Sequence, residues 1–213
     1  LTGTPSTWAP GYSLGLGHRR LAIIDLTPLG HQPMATEDGR CWVTYNGELY
    51  NYVELREELR AKGYRFQSNS DTEVLLTAYR EWGEACLTRF NGMFAFALWD
   101  ERKGRLFCAR DRFGIKPLYY TIVADTLFFA SETKALLPFL PAIETDQSAL
   151  AEYLTFQYTI NEHTLFAGIK QLLPGHTLCM EDGVVKVARY WDVHYDIDFD
   201  HSPVYFRNRL IEL

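Results

Sequence analysis

Residues 91–130, NGMFAFALWDERKGRLFCARDRFGIKPLYYTIVADTLFFA, decide the fold. Apolar and aromatic residues gather there in four runs of strand length, 93–99, 105–110, 117–121 and 127–130,. Asp100 and Gly104, then Gly114, then Asp125 separate them, and these residue types accept the backbone angles of tight turns,. The intervals are too short for helical crossovers, so the runs read as antiparallel hairpins.

Working outward, residues 18–26, HRRLAIIDL, combine β-branched and apolar side chains into an expected buried strand, broken by Pro28, Gly30 and Pro33,. Residues 41–50, CWVTYNGELY, read as strand, Asn-Gly turn and entry into a helix over 52–62,. That helix carries Val53, Leu55 and Leu59 between charges, and Gly63 stops it,. Ser70-Asp71-Thr72-Glu73 has capping-box spacing, with Ser70 as cap and Glu73 expected to bond back,. It opens a helix with Val74, Leu75, Ala78 and Tyr79 on one face, ending near Gly83,. A short helix at 85–90 follows. After the hairpins come a helix at 147–156, strands at 176–180 and 184–190 about Glu181-Asp182-Gly183, and a helix beginning at 204–213. Hairpins grouped apart from helices mean an α+β architecture rather than alternating βαβ units.

The 213 residues suffice for one large domain, or one domain and the start of another,. An apolar share of 47% and a charged share of 23% are those of a globular chain,. A formal net charge of −6 without a basic cluster gives no footing for nucleic acid or an anionic membrane,. Residues 93–99, the longest apolar run, are far too few to span a bilayer, and Leu1-Thr2-Gly3-Thr4-Pro5-Ser6 is loop-like rather than a signal peptide,. Cys41, Cys86, Cys108 and Cys179 lie far apart with no CxxC pair, so reduced, mostly buried thiols in a cytoplasmic protein are expected and a metal site is not,. His18 and His31 show no metal or triad spacing and read as structural.

Several phrases in register carry a family resemblance: GHRRLAIIDL (17–26), GHQPM (30–34), YNGELYNY (45–52), SDTEVLL (70–76), NGMFAFALWD (91–100), ARDRFGIKPLYY (109–120) and SETKALL (131–137). Together they resemble the class II glutamine amidotransferase domain of glutamine-dependent asparagine synthetases. GIKQLLPGHTL (168–178) and RYWD (189–192) are similar to the segment leading into the synthetase domain. The resemblance implies an N-terminal-nucleophile hydrolase fold, an αββα sandwich of two antiparallel sheets. It further implies an amidotransferase domain over 1–191, lacking its N-terminal strand and nucleophile. Residues 192–213 would then be a linker and the start of the ATP-binding synthetase domain.

Glutamine presents a carboxylate, an ammonium group and a carboxamide, so its site needs a cation, an anion and an oxyanion hole. Resemblance assigns the first to Arg20, whose planar fork suits a carboxylate, and the second to Asp71 at a helix start. Asn46 and Gly47 are expected to form the oxyanion hole, a side-chain amide beside a backbone N–H. Ile23, Ile24 and Glu48 are expected to contribute backbone contacts. Taken alone, Arg20 could be a surface arginine, Asp71 a helix-dipole residue and Asn46-Gly47 a hairpin turn. In the family a first-residue cysteine attacks the carboxamide, its own α-amino group relaying the proton. Residues 1–213 contain neither that cysteine nor the SGGxDS-type pyrophosphate loop, so by themselves they are expected to bind glutamine without cleaving it.

No cofactor is expected in this domain. ATP and Mg²⁺ are implied for the synthetase domain, which would activate aspartate, and a homodimer is usual in the family. Hexosamine- and purine-pathway amidotransferases share the Arg, Asn-Gly and Asp elements, but not GHRRLAIIDL, GIKPLYY and SETKALL together. A paralogous amide- or β-lactam-forming synthetase and a non-catalytic glutamine-binding module are the remaining readings.

Overall fold

The structure, a computed structural model, describes residues 6–9, 12–21, 23–197 and 200–212. The loop read at residues 1–5, Ala22 within the 18–26 run and Leu213 lie outside the described residues. In chain order the elements are β1 (Ser6–Ala9), β2 (Tyr12–Leu14), β3 (Met34–Ala35), β4 (Cys41–Leu49), α1 (Tyr52–Ala61), α2 (Asp71–Trp82) and α3 (Cys86–Arg89). There follow β5 (Gly92–Asp100), β6 (Arg105–Arg110), β7 (Tyr119–Val123), β8 (Thr126–Ala130), α4 (Gln147–Phe156), β9 (Lys170–Gln171), β10 (His176–Glu181), β11 (Val184–Arg189) and α5 (Pro203–Glu212).

One antiparallel sheet has the order β11-β10-β6-β5-β4-β3 and a second the order β8-β7-β9, while β1 and β2 form a separate ribbon. Side chains alternate across a strand, so each strand of the larger sheet serves two cores. Val43, Tyr45, Phe94, Phe96, Leu98 and Phe107 point to the side on which Leu55, Leu59, Leu75, Ala78 and Leu87 of the helices pack. Phe90, Phe94, Phe96 and Phe107 form a continuous aromatic row with ring centroids 5.7–5.9 Å apart. Each is almost wholly buried, a contribution of roughly 2 kcal/mol per ring,. Ala95, Ala97, Trp99, Leu106, Cys108 and Leu178 point to the other side, against Leu118 just before β7 and Tyr120, Leu127 and Phe129 of the second sheet. On that sheet's far side Phe128 stacks on Phe139 at 4.2 Å.

The hairpins and helices lie where the residue pattern puts them, within a few residues. Three local expectations need correction. Asn46-Gly47 is not a turn: β4 runs straight through it, paired with β5 from Cys41↔Asp100 to Leu49↔Gly92, and the turn into α1 falls at Tyr50-Asn51. Ser70 does cap α2 by accepting from Thr72 N–H, but Glu73 turns instead to Gln67 N–H and to Ser68 N–H and hydroxyl, at 2.6–2.8 Å. Among its described residues, the stretch 18–26 forms no strand, and of them Asp25 alone is buried. Leu21, Ile23 and Leu26 are 67–82% exposed, because side chain-to-backbone bonds within 20–27 have replaced a ladder,.

Candidate active site

The open edge of β4 organises the principal cavity. Beside β4, the short strand β3 pairs only with Val43 and Trp42. The next residue facing that edge, Tyr45, is taken by a side chain: Gln32 Nε2 donates to Tyr45 O at 3.0 Å and Tyr45 N–H donates to Gln32 Oε1 at 2.7 Å. Leu49 N–H, also on that edge, donates to Asp71 Oδ2 at 3.0 Å. Gly47 lies between them. Its partner across the sheet, Phe94, uses its own N–H and C=O on Asp111, at 3.1 and 2.7 Å. Strand alternation therefore turns Gly47 N–H away from β5, toward the open edge and the cavity. Gly47 is required here for closeness: a Cβ would stand 2.2 Å from Met93 O and 2.8 Å from Phe94 Cα,.

A cavity of about 720 Å³ wraps around this edge and reaches between the sheets, a size suited to a small molecule. Arg20, Ile23, Ile24, Asn46, Gly47, Glu48 and Asp71 all line it, so the structure brings every sequence-predicted site residue together.

Arg20 is held from two sides. Its Nη2 donates to Asp25 O, and Gly30 packs so closely beneath the guanidinium that a Cβ there would lie 2.6 Å from Nη2. The Asp25 side chain is buried; Oδ1 accepts from Thr27 N–H at 2.8 Å and Thr27 hydroxyl at 2.6 Å, and Oδ2 from Asn69 N–H at 2.8 Å. Those bonds, Thr27's hydroxyl first, hold the Asp25 carboxyl below its ordinary pKa,.

Asp71 opens α2, where the helix dipole favours a carboxylate,. It is 5% exposed, and burial raises its pKa against the opposing pull of the Leu49 N–H and Tyr45 hydroxyl bonds,. Tyr45 donates to Asp71 Oδ2 at 2.9 Å, and burial, then the Asp71 charge, pushes the phenol well up. The Asn46 side chain points to the opposite face from Tyr45, into the inter-sheet end of the cavity,.

Among the lining residues that sequence reasoning did not assign to the site are His18, Gln32, Tyr45 and Lys116. His18 Nδ1 is 3.1 Å from Thr44 Oγ1, and burial, then nearby Arg20, lowers its pKa, so the imidazole is neutral at neutral pH. All four lie within the quoted phrases, His18 in GHRRLAIIDL, Gln32 in GHQPM, Tyr45 in YNGELYNY and Lys116 in ARDRFGIKPLYY, so position in those phrases was the available signal and the fold brings them to one cavity. None of the four cysteines lines the cavity. Burial pushes Cys41 up to about 11 and Cys86 up to about 12, and raises Cys108 and Cys179 as well. These are protonated packing thiols, not nucleophiles.

A family model described as "Glutamine amidotransferase domain" matches residues 4–191. Asparagine synthetase [glutamine-hydrolyzing] 1 of Bacillus subtilis (strain 168) is 46% identical over 183 residues, 85% of this chain and 29% of that protein. Asparagine synthetase [glutamine-hydrolyzing] 3 of the same strain is 44% identical over 193 residues, 88% of this chain and 31% of its own length. The chain thus spans about three tenths of these curated relatives. Among solved structures, the glutamine phosphoribosylpyrophosphate amidotransferase of B. subtilis has a TM-score of 0.58 at 23% identity, over 82% of this chain and 34% of that one. At that identity the likeness concerns the fold, the sandwich of antiparallel sheets and helices of N-terminal-nucleophile hydrolases.

Proposed function

The chain belongs to the glutamine amidotransferase domain family, and from that membership we propose that it forms the glutamine-binding part of an ATP-dependent asparagine synthetase. One observation carries the reading: Arg20, Asn46, Gly47 and Asp71 line a single cavity at the open edge of β4. Arg20 takes the α-carboxylate of glutamine through two parallel N–H donors, and the Asp71 carboxylate takes the α-ammonium. The carboxamide oxygen then faces Gly47 N–H and the Asn46 side-chain amide. Backbone groups of Ile23, Ile24 and Glu48 complete the enclosure.

Chemistry begins when a cysteine thiolate adds to the carboxamide carbon and charge collects on the oxygen. Gly47 and Asn46 are preorganised for that charge, a contribution of about 3 kcal/mol per donor in comparable sites. The C–N bond then breaks, ammonia leaves with a proton relayed by the cysteine's α-amino group, and water hydrolyses the thioester to glutamate. Because no cysteine of residues 1–213 reaches the cavity, the thiolate comes from outside them. In the complete enzyme, a separate domain holding ATP and Mg²⁺ would supply the activation of aspartate, and the released ammonia would convert it to asparagine.

Isothermal titration of residues 1–213 with L-glutamine tests the binding site. Millimolar or tighter binding, weakened at least tenfold by Arg20→Ala and by Asp71→Ala, is expected; no binding would remove the reading. Glutamate release by the same material would refute the external nucleophile. Asparagine formation from aspartate, glutamine and ATP by a full-length protein bearing these residues tests the acceptor.

A further inference from the structure

Arg20 and Asp71 sit on separate parts of the chain, and something must fix their relation if both are to grip one α-amino acid. The loop carrying Arg20 touches the start of α2 through two hydrogen bonds between side chains and the α2 segment. One, Gln32 Nε2 to Thr72 Oγ1, is long at 3.4 Å. The other, Asn69 N–H to Asp25 Oδ2, is 2.8 Å and bridges a separation of 44 residues. Asn69 stands two residues before Asp71. On the far side, the same Asp25 supplies the carbonyl that receives Arg20 Nη2. Its other carboxylate oxygen holds Thr27 by N–H and hydroxyl, and Thr27 O accepts from Gly30 N–H at 3.2 Å. Gly30 is the floor on which the guanidinium lies. Asp25 is 4% exposed and does not line the cavity, so it can act only through these neighbours.

We propose that Asp25 is a positioning residue for α-amino-acid recognition: one buried carboxylate joins the Arg20 loop to the N-terminus of α2 and so sets the two charged ends of the site against each other. The proposal rests on the glutamine-binding reading above. Bound in this way, a ligand needs its carboxylate and ammonium at one fixed spacing, and loss of Asp25 lets each binding group drift separately. Rigid support of this kind distinguishes a site from a set of correct residues held too loosely.

Three ligands decide it in calorimetric titrations of residues 1–213: L-glutamine, L-glutaminol, which lacks the carboxylate, and 4-carbamoylbutanoate, which lacks the ammonium. The unaltered chain should prefer glutamine to both. Asp25→Asn puts an amide where one oxygen accepted, and glutamine affinity should fall at least tenfold while affinity for the two analogues changes little. Preference for glutamine therefore collapses. Thr27→Val removes the hydroxyl's 2.6 Å bond to Asp25 together with the longer one it accepts from Leu29 N–H at 3.3 Å, and should move the same ratios by a few fold; it decides the matter if Asp25→Asn does not fold. A general structural role would weaken all three ligands in parallel, and ratios unchanged in both variants overturn the proposal. If the unaltered chain bound no glutamine, the functional reading itself would fall first.

Discussion

The Tyr45 hydroxyl donates to the Asp71 carboxylate at 2.9 Å, inside the protein. This bond ties β4, which carries Asn46 and Gly47, to the first residue of α2. In the proposed binding mode, this fixes the end of the site assigned to the carboxamide relative to the end assigned to the ammonium group.

Tyr45→Phe keeps the ring and removes that bond. A hydrogen bond to a charged group contributes about 1.5–3 kcal/mol, and stability measured by urea unfolding should drop by that order. Asp71 also loses a donor that favours its ionised form, so its pKa should rise further and glutamine binding at mildly acidic pH should suffer more than at pH 8. Equal losses at both pH values would contradict this role.

The proposed pairing of Asp71 with the ligand ammonium predicts a pH-dependent affinity with a definite sign. Burial raises its pKa in the free protein, and pairing with an ammonium ion requires the carboxylate. Affinity for glutamine should be constant well above the raised pKa and fall about tenfold per pH unit below it. Through that window binding must release protons, visible as a calorimetric enthalpy that varies with the ionisation enthalpy of the buffer. Asp25, whose pKa is lowered, stays ionised there. 4-Carbamoylbutanoate, without the ammonium group, should show no such release.

Much of this was written in the residue pattern, because strands and helices with one buried face impose a period on the sequence. The hairpins of 91–130 and the face of α2 are of that kind,. The segment 18–26 misled because its β-branched residues argue for a strand, while its fate is set by Asp25 bonding to Thr27 and to Asn69, far away in sequence. Asn46-Gly47 misled for a related reason. The pair is a strong turn signal locally, yet the approach of Met93 and Phe94 demands a glycine in mid-strand. The phrases of the family resemblance named Arg20 and Asp71, but not the means by which they are held.

Asp111 governs the far wall of the cavity. Its buried carboxylate accepts four backbone N–H groups, those of Phe94, Phe113, Ile115 and Lys116, at 3.0–3.1 Å. Asp111→Ala orphans all four, the Phe94 N–H buried and the other three partly so; with about 1–3 kcal/mol for a buried donor left unpaired and less where water reaches, the loss should be about 2 kcal/mol or more. Hydrogen exchange should quicken at Phe113, Ile115 and Lys116 first. A stability change under about 1 kcal/mol would mean water replaces the carboxylate.

Gly30 and Gly47 separate stability from recognition. At Gly47 an added methyl meets backbone on the neighbouring strand, Met93 O at 2.2 Å and Phe94 Cα at 2.8 Å. Neither atom can retreat without bending β5, so Gly47→Ala should cost about 3 kcal/mol or prevent folding. At Gly30 the three nearest atoms to an added methyl all belong to the Arg20 guanidinium, at 2.6–3.0 Å. That group is the end of a flexible side chain and can swing aside, so Gly30→Ala should leave the melting temperature nearly unchanged. The displaced fork no longer meets the ligand carboxylate, and glutamine affinity should fall about tenfold, or 1.4 kcal/mol. L-Glutaminol, which has no carboxylate to lose, should bind Gly30→Ala as it binds the unaltered chain. Equal weakening of both ligands would show that Gly30 supports the loop rather than the guanidinium above it.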